Sequence, residues 1–118
     1  MGESKHRLKL EEILYSKETL QKIGIQGKVW GSLEIPYWKN GSLYCETDVL
    51  IYTGHIYVKP FHVIEYKATR EHYGEALEQL RRSEEFVKEL LDADCYKYFV
   101  HGNFETINVG PKPRFKNP

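Results

Sequence analysis

The chain has 118 residues, 41% hydrophobic and 14% aromatic, and its 17 basic residues balance 17 acidic ones. That length supports one domain with a genuine core and leaves little room for a second. Zero net charge excludes a histone-like polycation while permitting a local basic surface, and apolar stretches that are only strand-sized and broken by Lys, His or Glu argue against a signal peptide or membrane span and for a cytoplasmic protein.

Residues 5 to 23 carry Leu10, Ile13, Leu14, Leu20 and Ile23 at mostly helical spacing, with Gly24 as terminator and Ser16 as a point of division into two short helices. "KVWGSLEIPYW" and "LYCETDVLIY" flank Asn40-Gly41, a strong two-residue hairpin signal, and make the first two strands. The segment from Ile56 to Lys67 supplies a third strand interrupted by Pro60. Residues 71 to 91 then place Tyr73, Ala76, Leu77, Leu80, Val87, Leu90 and Leu91 on one stripe, the clearest helix in the chain. "CYKYFV" reads as a fourth strand, and residues 111 to 118 as a basic, proline-containing flexible tail. The expectation is a single α/β domain over residues 1 to 110, with elements in the order α-β-β-β-α-β and a mixed sheet of about four strands flanked by helices.

Several site classes find no support. Cys45 and Cys95 stand alone without a C-x-x-C partner, so both read as core residues rather than zinc ligands or a disulfide framework. The five histidines, His6, His55, His62, His72 and His101, show no metal-ligand spacing. There is no glycine-rich phosphate loop and no nucleophile elbow.

Two places ask for a chemical reason. "FHVIEYKATR" ends an apolar strand with Glu65 and Lys67, which alternation puts on one face. A Glu-x-Lys triplet carries little information alone, since Glu3 with Lys5 forms another. Asp48 sits inside "CETDVLIY", where an aspartate is least expected; an aspartate accepting local backbone N–H groups is the simple explanation, and a partner across the sheet the other.

Register decides what that partner is. A tight turn at Thr53-Gly54 pairs Asp48 with Lys59, whereas a wide loop with Pro60 at the foot of the third strand pairs Asp48 with Glu65. Proline has no N–H to give a central ladder, which favours the wide loop, and a bulge that resets the pairing is the remaining route to the first register.

Two carboxylates on neighbouring strands repel and raise one another's proton affinity unless a cation intervenes. Hard oxygen donors of this kind suit Mg²⁺ or Mn²⁺. Lys67, next along the face, is then placed to orient a water or offset charge on a phosphate, so the constellation is one for phosphodiester cleavage.

Asp48 in "ETDVLI", then Glu65 and Lys67 in "VIEYK", 17 residues on, within an α-β-β-β-α-β order, resemble the PD-(D/E)XK nuclease superfamily over residues 8 to 100. The resemblance implies a restriction-endonuclease-like core, Asp48 and Glu65 as metal ligands, Lys67 as a catalytic residue and Mg²⁺ or Mn²⁺ as cofactor. It further suggests Glu11 or Glu12 on the first helix as an additional metal ligand, and Gln79 in "EALEQL", as in resolvase-like and RecB-like branches, as a catalytic partner. Glu46 stands near Asp48 where the family pattern suggests proline. The activity implied is metal-dependent hydrolysis of nucleic acid, with DNA the expected substrate, structure-selective or non-specific rather than strongly sequence-specific, and with a homodimer as an option; the residues themselves do not separate DNA from RNA.

Arg70, Arg81, Arg82, Lys39 and Lys59 are candidates for nucleic-acid contacts, with Lys28 and the tail residues Lys112, Arg114 and Lys116 beside them. Arg81 and Arg82 equally suit pairing with Glu78, Glu84 or Glu85 along their own helix. The leading alternative function is a catalytically inactive nucleic-acid-binding or protein-interaction domain on the same fold. A small interaction protein with a surface of tyrosines and tryptophans is a third.

Overall fold

The computed structural model describes residues 4–117. It opens with two helices, α1 (Lys5–Tyr15) and α2 (Lys17–Ile23), divided at Ser16. That serine closes one helix and starts the next: its N–H donates to the Glu12 carbonyl at 3.0 Å, and its hydroxyl accepts from the Thr19 N–H at 3.2 Å. Gly24 ends α2 in the left-handed region at φ 109°, which glycine adopts without strain.

A meander of β1 (Trp30–Lys39), β2 (Ser42–Tyr52) and β3 (Phe61–Lys67) follows. A short 3₁₀ turn (Arg70–His72) leads into α3 (Tyr73–Leu91), which crosses over to β4 (Cys95–His101), and β5 (Glu105–Val109) completes the chain's elements. The sheet order is β1-β2-β3-β4-β5, with β3 and β4 parallel and every other neighbouring pair antiparallel. The described residues thus form a five-stranded mixed sheet rather than one of about four. The added strand, "ETINV", is short and partly exposed, and it follows left-handed residues at Gly102 (φ 57°) and Phe104 (φ 64°). Its only apolar residues, Ile107 and Val109, alternate with Thr106 and Asn108 over too short a run to stand out.

The sheet is covered on both faces. On one face Leu10, Ile13 and Leu14 of α1 pack on Val49, Ile51, Ile64, Tyr98 and Val100; on the other Ala76, Leu80, Phe86 and Val87 of α3 pack on Val63, Cys95 and Phe99. Cys45 and Cys95 are free and buried in the second layer, as core residues. No helix among the described residues is long and apolar enough to cross a membrane.

Pairing of β2 with β3 follows the wide-loop register: Val49 lies opposite Ile64 and Tyr52 opposite Phe61. Pro60 stands just before β3, where its carbonyl accepts from the Thr53 N–H at 2.9 Å. The third strand is therefore shorter than the segment from Ile56. Residues 56–58 are held instead by the C-terminal segment expected to be a flexible tail: Val58 N–H donates to the Arg114 carbonyl at 2.8 Å, and Lys116 N–H to the Ile56 carbonyl at 2.8 Å. The rings of Tyr57 and Phe115 stack at 4.8 Å between these bonds.

One irregularity shapes the sheet. Cys45 packs on the α3 side and Thr47 bonds Ser83 of α3 at 2.7 Å, yet Val49 and Ile51 pack under α1 and α2. Strict alternation forbids that change of face within odd-numbered residues. The partner strand changes with it, because Leu33 packs under α1 and α2 while Ile35 packs under α3. Between the flanking pairs Leu33–Val49 and Ile35–Thr47 stand Glu34 and Asp48, and Glu34 has a left-handed φ of 51°.

His62 is wholly enclosed beneath α1 and α2, with Nε2 on the Thr53 hydroxyl at 3.0 Å and Nδ1 on the Tyr98 hydroxyl at 2.6 Å. Burial lowers its pKa from 6.5 to about 4. The neutral ring is thus favoured in the native state, and its contribution to stability, complete above pH 6.5, is lost as pH falls through about 4. At 1.36 kcal/mol per pKa unit the loss across that window is at most about 3 kcal/mol. Urea unfolding at several pH values should show wild type losing stability through this window relative to His62→Gln; parallel pH profiles would remove His62 as the cause.

Candidate active site

The cleft originates where β2 leaves β3. Their ladder stops at Val49–Ile64, and the strands separate towards Ser42. At the point of separation the Asp48 side chain takes over from the missing strand: its Oδ2 accepts the Tyr66 N–H at 2.8 Å. The simple explanation for this aspartate, satisfaction of a backbone N–H, is thereby realised, but across the sheet rather than locally. Asp48 still has a second oxygen to offer.

Continuing the register past the last ladder pair sets Asp48 beside Glu65, and both carboxylates line one cleft of about 390 Å³ together with Lys67, Gln79, Arg82 and His6. Asp48 and Glu65 are 6% and 5% exposed, although each belongs to a residue type that prefers water. Burial raises the Glu65 pKa well above the usual carboxylate range, the charge of Asp48 raises it further, and Lys67 only partly offsets the two. The Lys67 ammonium lies 3.7 Å from Glu65 and 3.6 Å from Glu75, beyond close hydrogen-bond distance from either. It is held near the acids by charge.

The first helix delivers a residue to this cleft, but not an acid. The apolar positions Leu10, Ile13 and Leu14 turn into the core, which leaves Glu12 exposed and Glu11 paired with Arg7 at 3.5 Å. Neither glutamate lines the cleft. Instead His6, in the first turn of α1, donates from Nε2 to Asp48 Oδ1 at 3.2 Å, and this bond raises the His6 pKa above its ordinary value. Metal-ligand spacing is a local test and cannot register a partner 42 positions away.

Of the basic candidates only Arg82 reaches the cleft wall. Its guanidinium is shared between Glu78 at 3.0 Å and the Tyr44 carbonyl at 2.8 Å. Arg81 pairs with Glu78 and Glu85, so it, like Arg82 on Glu78, follows the helix-pairing alternative, and Lys39 of β1 pairs across to Glu85 and Glu89 of α3. Lys59 precedes the opposite end of β3, its ammonium 5.3 Å from the Tyr96 ring centre. Arg70 is exposed in the turn after β3 and makes no ion pair among the described residues.

Two clustered oxygen donors fit a hard divalent cation that retains most of its waters, because such an ion needs only one or two protein carboxylates. A closed cage is not on offer: among the described residues no group of three or more His, Cys, Asp or Glu side chains is arranged to hold a metal ion. With burial and the charge of Asp48 both raising the proton affinity of Glu65, either a bound proton or a cation would relieve the crowding of negative charge. No family model matches this chain, and no curated protein matches it either.

Because the folded-state pKa of Glu65 is raised, its contribution to stability is present below the unfolded value near 4.5 and is lost as pH rises through the folded one. Wild type should therefore lose thermal stability relative to Glu65→Gln on going from pH 5 to pH 8 without divalent ions. At pH 8, saturating Mg²⁺ should raise the wild-type Tm by roughly 5 °C or more and leave Glu65→Gln unmoved. Equal responses of the two proteins in a thermal melt would remove Glu65 as a ligand.

Proposed function

We propose that the chain is a metal-dependent nuclease with a restriction-endonuclease-like core, hydrolysing phosphodiester bonds of nucleic acid, DNA in preference to RNA, without strong sequence specificity. The observation that carries the reading is the convergence of two buried carboxylates and a lysine on one cleft, where β2 and β3 part. Chain order supports it as well, since a three-strand antiparallel meander is followed by a helical crossover into a parallel strand.

Each side chain has a definable part. Asp48 and Glu65 hold the divalent ion through carboxylates whose backbones belong to adjacent strands, so their separation is fixed by the sheet. Bound Mg²⁺ or Mn²⁺ supplies Lewis-acid polarisation of the phosphate and a lowered pKa for water. Lys67 contributes a positive charge beside the scissile phosphate, where negative charge grows in the transition state. Gln79, on the α3 wall, is placed to hydrogen-bond the attacking water or a phosphate oxygen, and Arg82 to meet the backbone at the cleft edge. With Lys39 and Arg81 committed to acids of α3, the basic field around the cleft is thin, which suits weak, sequence-independent backbone contact better than base readout.

The test is incubation of the purified protein with single-stranded, duplex and branched DNA, and with RNA, in Mg²⁺, Mn²⁺ or EDTA. Cleavage should require the metal. Lys67→Ala should leave the fold intact and cut the rate by roughly a hundredfold or more, as expected for loss of one positioned electrostatic group. Asp48→Asn should weaken Mg²⁺ binding as well as turnover. Absence of metal-dependent cleavage on every substrate would leave the non-catalytic binding domain as the better reading, and a Lys67→Ala protein cutting at the parental rate would remove that residue from the chemistry.

A further inference from the structure

We infer that His6 is a positioning residue for Asp48, holding the free oxygen of that carboxylate so that it faces Glu65 and a shared divalent cation. The inference rests on the metal-dependent reading above and adds to it a residue that no sequence pattern assigns.

The two oxygens of Asp48 have separate partners. The backbone of β3 fixes Oδ2 through the Tyr66 N–H at 2.8 Å, and His6 fixes Oδ1 at 3.2 Å. A carboxylate tied at one oxygen still swings about its terminal torsion, which is broad for aspartate. Tied at both, it presents its remaining lone pairs in one direction. Hydrogen-bonded carboxylate ligands of this kind are the rule in metal sites, and loss of the outer partner commonly weakens binding tenfold to a hundredfold.

His6 is itself held in place. Its neighbour Arg7 donates from Nη1 to Glu34 Oε1 at 2.6 Å, and the Ser4 hydroxyl accepts the Arg7 N–H at 3.1 Å. Glu34 occupies the left-handed position on β1 directly across from Asp48. The irregular pair in the sheet therefore has one member anchoring α1 and the other receiving a hydrogen bond from it. The His6 side chain is 43% exposed, against 8% for Asp48, so it adds little packing to the core. α1 is held by the burial of Leu10, Ile13 and Leu14 and tied at its first turn by Arg7–Glu34, all of which an alanine at position 6 leaves untouched.

The full-length chain, with wild-type, His6→Ala and His6→Gln proteins, is titrated with Mg²⁺ and with Mn²⁺ by calorimetry and by the shift in Tm. His6→Ala should melt close to wild type without metal, bind Mg²⁺ about tenfold or more weakly, and recover its cleavage rate when Mg²⁺ is saturating. His6→Gln, whose amide can donate to the same oxygen, should recover most of the affinity. If His6→Ala does not fold, the comparison passes to His6→Gln against His6→Asn, which is one methylene shorter, with the same ordering expected. Unchanged or tighter Mg²⁺ binding in His6→Ala, or equal affinities for Gln and Asn, would overturn the inference while leaving the nuclease reading standing. A wild-type protein that binds neither metal would overturn both, at a step read before any substrate is added.

Discussion

The hydrogen bond from the Tyr66 N–H to Asp48 Oδ2 is the interaction on which the site depends. Parting two strands of a sheet leaves a row of backbone donors without acceptors, and a buried N–H without a partner costs about 1 to 3 kcal/mol. Asp48 supplies the acceptor from its side chain at the place where β2 turns away. The sheet can therefore open without an orphaned donor, and the same carboxylate is carried into the opening. A hydrophobic residue there would satisfy packing and leave Tyr66 unpaired; an asparagine would keep the bond and lose the charge.

This arrangement trades stability for poised charge. Every buried polar side-chain atom among the described residues has a hydrogen-bond partner, so the interior is well satisfied in that sense. The tension is electrostatic and confined to Asp48 and Glu65, with Lys67 and His6 each leaning on one acid. Contrast His62, also buried and titratable: it is enclosed by Thr53, Tyr98, Tyr57 and Tyr96, keeps a neutral ring and has no charged neighbour bonded to it. One buried group is enclosed by uncharged neighbours, whereas the other two are acids set side by side in a cleft.

How much of this could be read from the letters alone depended on whether the signal was local. Asn40-Gly41 makes the expected two-residue turn, both residues at positive φ, because only such residues close a hairpin of that twist cheaply. Pro60 identified the register of β2 on β3, and with it the meeting of Asp48 and Glu65, because a missing N–H restricts where a strand can start. Ser16 was legible as a divider, since a serine caps a helix start through its own hydroxyl. By contrast the alternation in β5 is confined to Ile107 and Val109, and the docking of residues 113–116 on the loop before β3 rests on backbone hydrogen bonds and a Tyr57–Phe115 stack that no periodicity announces. Glu34 was invisible for a stronger reason: glutamate has no preference for a left-handed backbone, so its conformation is imposed by the sheet and by Arg7. His6 entered the site through that same long-range tether, while the acids expected from its helix turn elsewhere.

The position of Glu34 also bears on how the molecule behaves in a crowded solution. β1 is an outer strand of ten residues, long enough to recruit a strand from another chain and so to seed aggregation. A left-handed residue in its middle breaks the straight run of exposed donors and acceptors, and Pro36 two places on contributes no donor at all. What remains on either side is a run of four and a run of five residues. A substitution that straightened β1 would restore that run along the outer edge of the sheet, the kind of edge that pairs with other chains.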